Sequence, residues 1–87
     1  MVFNDRTYSV LIVSSSEKFA ATLSGLLPGA FYYPIKTVSN IASAKRMTLE
    51  KKFDIVLINS PLPDDFGSSF AIDISATKNT VCMVFVK

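Results

Sequence analysis

The stretch Asp54–Gly67, "DIVLINSPLPDDFG", decides the fold. Its first half, with Phe53 in front, reads "FDIVLIN" (53–59), with an apolar run from Ile55 to Ile58. A strand that is apolar on both faces belongs in the middle of a parallel sheet. Its second half, "SPLPDDFG", is rich in proline, aspartate and glycine, and reads as a loop. Such loops, at the carboxyl ends of parallel strands, are where open α/β sheets place their chemistry. The residue at this strand's tip is Asn59, an amide where a carboxylate would be reactive. It reads either as a strand-terminal residue bonding to nearby backbone or as what remains of a polar pocket.

Composition narrows the choices. The chain has 87 residues, 49% of them hydrophobic, which suits one domain (1–87) with a limited core. The formal net charge of +2 is too small to imply nucleic acid by itself. Histidine is absent, which removes histidine acid–base catalysis, phosphohistidine chemistry and the commonest metal ligand. The single cysteine, Cys82, lies in an apolar strand and reads as a buried small hydrophobe. One cysteine allows no internal disulfide, which fits a reducing, cytoplasmic setting. The segment "MVFNDRTYS" is too polar for a signal peptide, and no apolar run reaches transmembrane length.

Outward from the central strand, elements alternate. "YSVLIV" (8–13) is a buried strand. Ser14 with Glu17 three residues later reads as a capping box opening a helix. Phe19, Leu23, Leu26 and Leu27 supply that helix's apolar stripe, and Pro28-Gly29 stops it. "YYPIKTV" (32–38) is a strand candidate that Pro34 demotes to an edge or to a late start. "SNIASAKRMTLEKKF" (39–53) is a helix, with Ile41, Ala44, Met47 or Thr48, and Phe53 inward and a basic outer face of Lys45, Arg46, Lys51 and Lys52. "SSFAIDISA" (68–76) is a short helix with Phe70, Ala71 and Ile74 inward, and "TVCMVFV" (80–86) is a fourth strand. The order βαβαβαβ implies a parallel sheet with right-handed crossovers.

In this setting the chain resembles a response-regulator receiver domain of the flavodoxin-like, chemotaxis-regulator fold. Receivers carry an aspartate, a hydrophobic run and a second aspartate, then a proline four residues on and a glycine eight on. Here those positions hold Asp54, Asn59, Pro63 and Gly67. "VLIV" followed by three serines and a glutamate resembles the family's first strand and loop. The resemblance implies an open sheet in the order 2-1-3-4 with helices on both faces, lacking the family's fifth strand and last helices.

The same resemblance implies where the chemistry would sit. Receivers hold Mg²⁺ with two acids after the first strand, phosphorylate an aspartate after the third, and contact the phosphate with a hydroxyl after the fourth. Ser14 and Ser15 stand in place of the acids, Asn59 in place of the acceptor, and Phe85 in place of the hydroxyl. Serines and an amide offer a hard divalent cation no charge, and an amide oxygen is a poor nucleophile. A degenerate pocket follows, with no cofactor, no metal and no catalytic residue. The rest of the loop after the third strand (Ser60, Pro63, Asp64, Asp65, Gly67) keeps the scaffold. The acids Asp64 and Asp65 read as solvated, or alternatively as surrogate phosphate acceptors.

With no fifth strand, the fourth becomes an apolar edge, with Val81, Met83 and Phe85 on one side and Cys82, Val84 and Val86 on the other. Val81, Met83, Val84 and Phe85 would form an association edge. The chain is therefore expected to be a fragment of a longer regulator, or to complete itself as a dimer through this strand or the uncovered sheet face. Its loop is similar to those of ANTAR-type regulators, pseudo-receivers joined to a helical RNA-binding output domain in transcription antiterminators. RNA binding would then belong to a domain outside this chain. The leading expectation is a non-enzymatic regulatory interaction module. The alternatives are a working phosphorelay receiver and a nucleic-acid-binding module using the basic second helix.

Overall fold

A computed structural model describes residues 7–60, 62–64, 67–77 and 80–86. Strands β1 (Tyr8–Val13), β2 (Tyr32–Val38), β3 (Ile55–Ser60) and β4 (Val81–Val86) alternate with helices α1 (Glu17–Leu26), α2 (Ile41–Glu50) and α3 (Ser68–Thr77). The strands form one parallel sheet in the order β2-β1-β3-β4. The expected truncated flavodoxin-like architecture is therefore the observed one, and β2, with Pro34, is an edge.

Side-chain alternation divides the core into two layers. Leu11, Val13, Val56 and Ile58 pack against Ile41 and Ala44 of α2 and Phe70 and Ile74 of α3. Val10, Ile12 and Leu57 face the other way, onto Ala20 of α1 with Leu23 and Leu27. β1 and β3 are thus covered on both faces, which is why both read as continuous apolar runs.

Several boundaries and faces differ from the sequence reading. The N-cap of α1 is Ser16, whose Oγ accepts from Phe19 N–H at 3.2 Å. Ser14 does not cap the helix, because its N–H still pairs with the Val38 carbonyl at 2.9 Å and prolongs the β1–β2 ladder. The chain needs two more residues to turn. Ala20, Leu23 and Leu27 form the inner stripe of α1, and Leu26 is 71% exposed on its shoulder. α2 begins after Asn40 and ends at Glu50, so Phe53 fills the core from the connection to β3 rather than from the helix.

The amino end of the sheet is tied by a polar network. The Asp54 carboxylate accepts from Ser9 N–H at 2.9 Å and from its hydroxyl at 3.3 Å. Asp54 N–H donates to the Ser9 carbonyl and hydroxyl, both at 3.1 Å. Buried Thr80 Oγ1 donates to the Phe53 carbonyl at 2.7 Å, and Val81 N–H to the Asp54 carbonyl at 3.0 Å. β1, β3 and β4 are held together at the end away from the candidate site.

Candidate functional site

The carboxyl ends of β1 and β3 bring Ser14 and Asn59 together, although 45 residues separate them. Asn59 Nδ2 donates to Ser14 Oγ at 3.2 Å. That oxygen also accepts from Ser16 N–H at 3.0 Å and donates to the Ser16 carbonyl at 3.1 Å. Ser14 is buried and Asn59 half-buried, so the pair forms a neutral, mutually satisfied contact. Asn59 therefore bonds across the sheet to a side chain. Ser15 is exposed beside it. Buried Ser60 closes β3.

Phe85 is the register partner of Asn59. Its ring meets Phe19 of α1 edge-on at 5.7 Å between centroids, within the α1-side core. The position implied for a phosphate-contacting hydroxyl thus carries an aromatic clamp between β4 and α1.

The loop after β3 is pinned twice. Asp64, exposed to solvent, accepts from Ile41 N–H and Ala42 N–H, each at 3.0 Å. These are among the unpaired donors of the first turn of α2, and Asn40 Oδ1 takes a third, Ser43 N–H, at 2.7 Å. Those amide bonds, Ile41's foremost, hold the Asp64 carboxyl below the usual carboxylate range, with the Lys45 charge adding to them. Asp64 is therefore docked rather than freely solvated. No local motif announces this contact, since donor and acceptor lie 23 residues apart. Gly67, buried with φ +89°, is the second pin. A Cβ there would sit 2.9 Å from Ile58 Cγ2. Pro63 is exposed, and Asp65 lies outside the described residues.

A shallow cleft of about 340 Å³ opens between the ends of β1 and β2. It is lined by the hydroxyl residues Ser14, Ser15, Thr37, Ser39 and Ser43, with Glu17 and Val38. These donors do not suit the divalent cation of receiver chemistry. Ser14 is already engaged, Glu17 is the one acid of the lining, and Asp64 is turned to α2. Among the described residues no group of three or more acids, cysteines or histidines could hold a metal. Burial pushes the half-buried Cys82 thiol up, away from the reactive thiolate.

The fold is that of a receiver domain. A mutant MaeR response regulator bound to sulfate matches with a TM-score of 0.81 at 22% identity, over 93% of this chain and 68% of that one. The beryllofluoride-activated NtrC4 receiver domain dimer, determined in solution, matches with a TM-score of 0.75 at 25% identity, over 87% and 63%. The chain thus spans about two thirds of the length of these structures. No family model and no curated protein sequence matches it. Among the described residues no helix is long and apolar enough to cross a membrane.

Proposed function

We propose that this chain is a pseudo-receiver, a non-enzymatic regulatory module that works by protein–protein association without aspartate phosphorylation. The observation that carries this reading is the Asn59–Ser14 hydrogen bond. It joins the two positions at which a receiver would need its acceptor carboxylate and a metal-binding acid. An amide and a hydroxyl that satisfy one another supply neither nucleophile nor charge. Phe85, packed on Phe19, adds no hydroxyl.

The surrogate-acceptor alternative requires Asp64 or Asp65 to take the phosphoryl group. Asp64 would first have to leave two amide donors of α2. Association is supported by the apolar edge strand β4 and by the dimeric form of the NtrC4 receiver. A cytoplasmic regulator is the natural setting, and an ANTAR-type antiterminator is the kind of full-length protein the loop suggests. RNA binding would then reside in an output domain outside this chain. The exposed basic residues of α2 offer a nucleic-acid alternative that no further contact in the structure supports.

The test is intact-mass analysis after incubation with acetyl phosphate and Mg²⁺. No mass increase is expected. A phosphoryl adduct that disappears in Asp64→Asn would overturn the reading in favour of a surrogate acceptor.

A further inference from the structure

The cleft at the carboxyl ends of β1 and β2 takes its walls from three places in the chain. Ser14, Ser15 and Glu17 come from the turn into α1, Thr37 and Ser39 from the end of β2, and Ser43 from the first turn of α2. All lie between residues 14 and 43, on the β2 side of the sheet, with β3 and β4 beyond β1. The volume of about 340 Å³ stands at the lower end of small-molecule sites, which run from about 300 to 1,000 Å³.

The lining residues divide by what their side chains already do. Ser14 Oγ has its one proton and both lone pairs in use, on the Ser16 carbonyl, Ser16 N–H and Asn59 Nδ2. The side chains of Ser15, Thr37, Ser39, Ser43 and Glu17 make no hydrogen bond or ion pair with the described residues. Four hydroxyls are left, each able to donate and to accept, beside one carboxylate that only accepts.

Charge decides the class of ligand. No lysine or arginine lines the cleft. The positive end of α2 is already occupied, because Ile41 N–H and Ala42 N–H donate to Asp64 and Ser43 N–H to Asn40. The first turn of α1 carries its own anion, Glu17. A bound anion would meet that charge with no cation in the lining to offset it. A cation would find one solvent-exposed carboxylate, which holds a charge weakly. An apolar compound would find one apolar residue, Val38. A molecule carrying several hydroxyls suits the set, exchanging hydrogen bonds with the serines and the threonine and donating to Glu17. We propose that this cleft binds a small neutral polyol of monosaccharide size. The ligand's hydroxyls replace water on side chains that are already solvated, so each bond adds little and affinity is of millimolar order.

The cleft and the Ser14–Asn59 pair share Ser14, whose N–H holds β2 through the Val38 carbonyl and whose Oγ holds β3 through Asn59. The proposal goes beyond the pseudo-receiver reading and does not depend on it. The experiment is an NMR titration of the whole 87-residue chain with myo-inositol and, separately, with D-glucose, at fixed pH and ionic strength. Saturating shifts confined to the amides of residues 14–17 and 37–43 are expected. Glu17→Gln and the double variant Thr37→Val/Ser43→Ala should each weaken binding roughly threefold to tenfold. Valine keeps the β-branched shape in β2 and alanine favours α2, so the second variant retains the fold. Thr22→Ala, on the exposed side of α1 outside the cleft, should bind as wild type does.

Shifts that stay linear in polyol concentration, or that scatter over the surface, overturn the inference. So does affinity unchanged in both cleft variants, or inorganic phosphate or tetramethylammonium binding the same amides as tightly as the polyols. A chain that ignores both polyols and stays unlabelled by acetyl phosphate loses the cleft and keeps the pseudo-receiver reading. A labelled chain that binds polyol in the cleft does the reverse.

Discussion

Gly67→Ala should be strongly destabilising, and the structure gives two separate reasons. At φ +89° the backbone lies in the left-handed region, where an L-residue costs about 1–2 kcal/mol. The added methyl would sit 2.9 Å from Ile58 Cγ2 and 3.4 Å from Ile41 Cδ1. Both isoleucines are fully packed, so neither can retreat cheaply, and overpacking of this kind costs about 1–3 kcal/mol. The reduced freedom of the unfolded chain returns about 0.4–1 kcal/mol. The net expectation is a loss of about 2–4 kcal/mol, from a total on the order of 4–13 kcal/mol for a chain this long. The assay is urea unfolding, with the midpoint falling and the slope unchanged. The melting temperature should drop by roughly 10–25 °C. Gly25→Ala is the control: it lies inside α1 with nothing within 4 Å of the new methyl. That change should stabilise by about 0.5–1 kcal/mol. Gly67→Asn separates the two causes: asparagine tolerates positive φ but carries the same Cβ, so it should recover part of the backbone cost and keep the clash with Ile58. A Gly67→Ala chain within about 0.5 kcal/mol of wild type would refute the argument that this glycine locks the loop to β3 and α2.

Other outcomes follow from the same contacts. Asp64 has a folded-state carboxyl held below its ordinary value of 3.8. Its contribution to stability is therefore present above the unfolded value and is lost as pH falls through the lower folded one. Wild type should exceed Asp64→Asn in stability at neutral pH, and the gap should close under acid; a gap unchanged by pH, followed by thermal melts, would contradict the docking of Asp64 on α2. Ser16→Ala should cost about 0.5–2 kcal/mol as a lost N-cap, read by denaturant unfolding, with fraying confined to α1 in amide exchange. Asn59→Asp should stay unlabelled by acetyl phosphate and Mg²⁺ in mass analysis, because it restores a nucleophile without the acids that would hold the cation. It should also lose about 0.5–1.5 kcal/mol with the Asn59–Ser14 bond.

What the sequence made legible was whatever depends on local pattern. The apolar run at 55–58 is the centre of the sheet, and Pro34 marks an edge. What it hid depends on groups brought together from a distance. Ser14 and Ser16 look equally able to cap a helix. Only the pairing of Ser14 with Val38 decides between them. Asp54 and Ser9 lie 45 residues apart, and Asp64 and Ile41 lie 23 apart, so neither contact leaves a trace in local spacing. The exposure of Leu26 was hidden for another reason. Its helical phase permits burial, but the inner stripe of α1 settles on the smaller Ala20, which lets the helix approach the sheet.

The polar groups of this domain are arranged so that its two ends behave differently. At the amino end a carboxylate, two hydroxyls and backbone amides bind β1, β3 and β4 into one unit. At the carboxyl end an amide and a hydroxyl satisfy each other and leave no charge to be neutralised. A switch needs two states whose balance an input can shift, and the shift is bounded by the input's differential affinity for them. Phosphorylation provides such an input only where a charge can be placed. On the proposed reading the Ser14–Asn59 pair offers no such place, and Asp64 is bonded to α2. On that reading the input is a contact with another molecule, and the differential affinity of that contact for two states of the domain is the quantity by which its regulation should be measured.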